Sequence, residues 1–244
     1  MSFNGAISVN AADTRRSRWP ERGFSLLEML ISMAVLVVVT GAVFEQIMVM
    51  QKSAAGTGAK VDSEQQARAF VDQMVRDLHM AGYPKAEMYS VRPDDPTLLQ
   101  KPFIAAGVVS VSPTQIILEG DVNSDGFVES VNVSYVPNSS SNPECPCVRR
   151  SASPKVAGDP LNQPVSPNFT ETDHVIPPGT DPGQSNEDLF VFYDSGGNQV
   201  PVAAPTNPAT LNIATVKITL SLLTDAGAGQ TARTFLSATA RLNQ

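Results

Sequence analysis

From Phe24 to Phe44 the chain runs 21 residues with a single charged side chain, Glu28. As a helix rising about 1.5 Å per residue, this run reaches roughly 31 Å, the thickness of a bilayer core. Such a segment must be removed, sit in lipid, or pack among other apolar helices. The charge around it is uneven. Arg15, Arg16, Arg18 and Arg22 stand against Asp13 and Glu21, giving +2 over residues 1–23 and −9 over the rest of a chain whose formal charge is −7. A basic end, an apolar run and an acidic body fit a membrane-anchored, exported protein with its N-terminus in the cytoplasm. The acidic balance argues against a nucleic-acid partner. A cleaved secretory signal peptide, with small residues at Thr40 to Ala42, is the plain alternative. The run is longer than the usual apolar core of such a peptide, and it carries an acid that such a peptide does not need. An ordinary membrane anchor has the same difficulty, because a carboxylate in a spanning helix is costly without a partner.

A cut between Gly23 and Phe24 would supply that partner. The new amino group of Phe24 is a cation, and Glu28 lies one helical turn away on the same face. In an assembly of parallel copies, Glu28 of one helix could instead meet the terminal amine of its neighbour. A desolvated pair adds little net stability, but leaving either charge alone is strongly unfavourable, so the pair enforces register.

The stretch "RGFSLLEML" resembles the processing site of type IV pilins and the pseudopilins of type II secretion. The resemblance implies cleavage after Gly23 by a prepilin peptidase, N-methylation of Phe24, and a requirement for Glu28 in ordered assembly. It further implies a cytoplasmic leader, 1–23, and a membrane-embedded start, 24–44, that becomes the filament core. The expected partners are other pilin or pseudopilin subunits and an inner-membrane assembly platform. The expected location is the bacterial inner membrane, then a pilus or pseudopilus in the periplasm or at the cell surface.

The helix need not stop at the membrane. Ala67, Phe70, Val71, Met74, Val75 and Leu78 recur at three- and four-residue spacing, with Arg68, Asp72, Gln73, Arg76 and Asp77 read as the opposite, polar side. No proline intervenes between Pro20 and Pro84, so one helix is predicted from Phe24 to about Ala81, ended by Gly82 and Pro84. Gly41, Gly56 and Gly58 are its weak points. Beyond it the period changes to two. Gln115–Glu119 and Val128–Val136 flank "GDVNSDG", Leu189–Tyr193 and Gln199–Val202 flank "DSGGN", and Val216–Leu222 and Thr231–Leu242 flank "TDAGAGQ". These read as hairpins of an antiparallel sheet over 83–244, packed on the polar half of the long helix. The fold class is therefore α+β. Ten of the 19 prolines lie between Pro137 and Pro182, so 137–188 reads as a surface excursion rather than a second domain. The later segments "RDLHMAGYP", "DVNSDGFVESVNVSY", "LFVFYDSGGN" and "SATARLNQ" resemble, more loosely, the larger minor pilins of the PilW and PulJ type.

Three features carry candidate chemistry in the sheet region. Asp121, Asn123 and Asp125 alternate ahead of Gly126, as in the first half of an EF-hand loop, and Glu129 could add a carboxylate. The twelfth position is Asn132 rather than the bidentate glutamate, and an Asn/Asp/Gly turn explains the same residues without calcium. Cys145 and Cys147 stand in Cys-Pro-Cys, where a disulfide would close a very small ring and separate thiols are the alternative. His79 and His174 have no nucleophile in a recognisable setting, and no nucleotide-binding glycine loop is present, so neither an enzymatic activity nor a cofactor is expected.

Overall fold

A computed structural model describes residues 23, 25–92, 94–180, 187–227 and 230–242. Helix α1 spans Leu26–Met80 without interruption, passing through Gly41, Gly56 and Gly58. It ends where the sequence places its stop signal. Gly82 takes φ +84, a left-handed turn that costs a glycine little, and the amide of Tyr83 still reaches the carbonyl of Met80.

The chain forms two compact units, residues 1–48 and 49–244. The second holds two antiparallel sheets rather than the single sheet expected. One is a five-stranded meander in the order β1 (Gly107–Val111), β2 (Gln115–Gly120), β3 (Glu129–Val136), β4 (Cys147–Pro154) and β5 (Asn168–Asp173). The other has the order β7-β6-β8-β9, from β6 (Phe190–Asp194), β7 (Gln199–Val200), β8 (Ile213–Gly227) and β9 (Gln230–Arg241). The Pro-rich region, read from sequence as a surface excursion, supplies β4 and β5. Residues 181–186 of that region lie outside the described residues.

Alternation explains which faces meet. Ile116 and Leu118 of β2, Val131 and Val133 of β3, and Val216, Ile218, Leu220 and Leu222 of β8 all point inward. They enclose Ala67, Phe70, Val71, Met74 and Leu78 of α1 in one core. The predicted packing stripe of the helix is therefore the buried one, with Val75 at its margin.

Asp77 departs from its predicted place on the polar side. Its side chain is fully buried, and it is tolerated there because both carboxylate oxygens are satisfied. Gln73 Nε2 donates to Oδ1 at 2.7 Å and Arg150 Nε of β4 donates to Oδ2 at 2.8 Å, tying helix to sheet. Glu171, which the β4–β5 register skips, lies in the same surroundings, and burial raises its carboxyl above the ordinary range.

The helix end is fastened to β2 by backbone. The amide of Gly82 donates to the carbonyl of Glu119 at 2.9 Å, and that of Asp121 donates to the carbonyl of Tyr83 at 2.8 Å. Only a glycine fits at position 120, because a Cβ there would stand 2.4 Å from the carbonyl oxygen of Met80.

Candidate functional site

The first half of α1 buries nothing. Every residue from Leu26 to Met50 is exposed, with Leu26 at 83% and Val38 at 72%. It is the one helix among the described residues long and apolar enough to cross a membrane, judged by length and composition. Each large aliphatic side chain left in water forgoes about 1.5–3 kcal/mol of burial, so this surface calls for lipid or neighbouring helices.

Glu28 sits in the first turn of α1, where the positive end of the helix dipole favours a carboxylate. Its backbone carbonyl accepts from Ser32 Oγ at 2.7 Å, and the residue is exposed, so a partner from outside the helix can reach its carboxylate. Phe24 lies outside the described residues, so the pairing of its amine with Glu28 has no geometry here. Gly23 is exposed, and a Cβ built on it would meet nothing within 4 Å. Among the described residues nothing demands a glycine at that position. A demand there belongs to whatever handles the leader junction.

The candidate calcium residues are brought together as a turn. Asp121 Oδ1 accepts from the amide of Asp125 at 3.0 Å and Oδ2 from that of Gly126 at 3.0 Å. Asn123 Oδ1 accepts from Asp125, and Asp125 Oδ1 accepts from Phe127 at 2.8 Å. Glu129 Oε2 accepts from the amide of Val122 at 3.1 Å. These oxygens are spent on the loop's own backbone, as in Asx turns. Among the described residues no three acidic, histidine or cysteine side chains are grouped to hold a metal ion. Burial, and then the nearby Asp125 and Asp121, push the Glu129 carboxyl upward.

Cys145 and Cys147 are joined by a disulfide. Asn138 Nδ2 donates to the carbonyls of Pro143 and Cys145, and this fastens the connection between β3 and β4. His79 lies in the last turn of α1, and His174 Nδ1 approaches Asp173 Oδ1 at 2.9 Å.

Sequence reasoning missed one buried group altogether. Lys155 and Glu119 form an ion pair at 2.6 Å with both side chains fully enclosed. Lys155 Nζ also donates to the carbonyls of Leu99 and Ile104, and Glu119 Oε2 accepts from the amide of Ala106. Burial raises the Glu119 carboxyl above its ordinary range, with the Lys155 ammonium acting in opposition. The only signal in sequence was a glutamate at the end of an apolar strand.

Residues 20–44 match the family described as the prokaryotic N-terminal methylation motif. The match spans the leader junction and most of the exposed apolar helix, and it marks the chain as type IV pilin-like with a prepilin-type N-terminus. No curated protein and no solved structure matches the chain.

Proposed function

We propose that this chain is a structural subunit of a type IV pilus, a minor pilin of the PilW and PulJ type, processed by prepilin peptidase and assembled through its N-terminal helix. The observation that carries the reading is the helix over Leu26–Met50, exposed along its whole length, with Glu28 as its lone acid until Glu45 and the methylation motif at its start. The peptidase cuts after Gly23, and the liberated Phe24 is methylated. In the inner membrane the apolar face is solvated by lipid. In the filament the same face packs against other subunits, and Glu28 meets the terminal amine of an adjoining one. The work is mechanical rather than catalytic, and the sheet domain faces outward. A pseudopilin of a type II secretion system uses the same helix and the same processing, and is the second reading.

The mature N-terminus tests this. Mass spectrometry of the protein from its native host should find a chain that begins at N-methylated Phe24. A chain that keeps the first 23 residues, or begins near Val43, overturns it. Glu28→Ala should leave membrane insertion intact and lower incorporation into filaments by tenfold or more, since about 1.4 kcal/mol of lost pairing is already that factor. Unchanged incorporation would remove the pairing mechanism.

A further inference from the structure

The two sheets have four edge strands, and three are blunted. β1 has a register break between Val108 and Ser110, and Val111 exchanges backbone hydrogen bonds with Thr206 at 3.0 Å in both directions. β5 follows Pro167 and leaves Glu171 out of its pairing. β7 is two residues long and runs into Pro201. These are the usual protections of an exposed edge. β9 has none of them. From Thr231 to Arg241 it pairs with β8 without a break and contains no proline.

The direction of its free groups follows from the ladder. The amide of Leu242 donates to the carbonyl of Ala214, so the even-numbered residues of β9 turn their backbone toward β8. On its far side β8 obeys the same parity, with the amides of Thr219 and Leu223 reaching the carbonyls of Leu189 and His174. The odd-numbered residues, Thr231 to Arg241, therefore turn N–H and C=O outward. Phe235, Ser237 and Thr239 meet no backbone partner on that side among the described residues.

Two observations identify the occupant. Residues 231–241 contain no acid, and Arg241 is exposed on the outer face of the strand, in a chain that is otherwise acidic. Two copies pairing β9 to β9 over the full length would bring Arg233 and Arg241 of opposite copies within diagonal reach, which like charges disfavour. Thr234 Oγ1 also donates to Glu64 of α1 at 2.9 Å, so the strand lies against the helix next to its exposed residue Val61. A subunit packed along that helix reaches this edge.

We propose that β9 takes a carboxylate-bearing edge strand of a neighbouring filament subunit by strand addition, through the outward backbone groups of Thr231 to Arg241. The proposal rests on the filament reading above. It is tested in the full chain in its native host, by cross-linking from Thr239→Cys with a short reagent that couples to the thiol at one end and carries a photoreactive diazirine at the other. Val39→Cys in the apolar helix serves as the separate probe of helix packing. The expected adduct joins position 239 to a strand containing Asp or Glu in another protein with an N-terminal methylation motif. Adding Ser237→Pro removes only an outward N–H, which an edge position tolerates, and should reduce the adduct at least tenfold. Arg241→Glu should reduce it as well. Loss of the Val39→Cys adduct would sink the filament reading. A normal Val39→Cys adduct with none at position 239, or one that joins two β9 strands, or one indifferent to both substitutions, overturns the strand addition.

Discussion

A lysine ammonium can donate three hydrogen bonds, and Lys155 uses all three inside the protein, on Leu99, Ile104 and Glu119. The Glu119 carboxylate is less well served, since its Oε1 is buried without a partner among the described residues. Such a pair adds little to stability as a whole but is costly to break from one side. Lys155→Met is therefore expected to destabilise the domain by about 3–5 kcal/mol in urea unfolding, and Glu119→Leu in the same chain should recover most of that. The deficit should depend on pH. Burial raises the folded-state pKa of Glu119 above its ordinary 4.5, so the contribution of its protonated form is full below 4.5 and lost as pH rises through the raised value. With the cation gone the variant should lose more at pH 7 than at pH 4, and an equal loss at both would contradict the assignment. Neither this pair nor the pairing of Asp77 with Arg150 was legible in sequence. The partners are 36 and 73 residues apart, and only the fold brings them together.

At the scale of elements, a segment was legible where one of its faces is apolar and the other is wet. α1 from Ala67 to Leu78, β2, β3, β8 and β9 come close to that condition, whereas β6 is apolar on both faces and was legible as a short apolar run ahead of a turn. β4, "CVRRSASP", has neither pattern. Its helix-facing side carries Arg150, bound to Asp77, and on its other side Ser151 and Ser153 are buried, with Ser153 Oγ donating to the carbonyl of Ser166. Polar residues enclosed on both faces erase the alternation, and the flanking prolines then read as loop. The joint between α1 and β2 depends on a residue that periodicity does not register. Gly120→Ala would drive a Cβ into the carbonyl of Met80, and the helix end or the strand must give way. The expected cost is about 1–3 kcal/mol, as for overpacking elsewhere. Faster hydrogen exchange at Gly82 and Asp121, whose amides bridge the joint, would mark the place. Unchanged exchange at both would mean that the contact relaxes without loosening the helix.

At the scale of the molecule, the two units differ in what they need. Residues 26–50 present apolar side chains on every side and find no cover among the described residues, whereas the core that closes on itself begins at Ala67 and draws on both sheets. The 25 residues of the methylation motif carry the functional reading, because the proposed processing and helix packing would act on that stretch. The sheet domain, whose chemistry is backbone pairing and enclosed ion pairs, left no comparable mark in the sequence. The division has a direct consequence. A fragment spanning Val49–Gln244 retains every residue of the core cluster, together with the Asp77–Arg150 and Lys155–Glu119 pairs. It should fold without detergent, unfold in a single cooperative thermal transition, and melt within a few degrees of the same domain in the detergent-extracted full chain. The apolar helix, if it served the domain's stability, would make that fragment expanded and non-cooperative. If it serves only lipid and neighbouring subunits, removing it should abolish incorporation into filaments while the near-ultraviolet circular dichroism of the sheet domain stays unchanged.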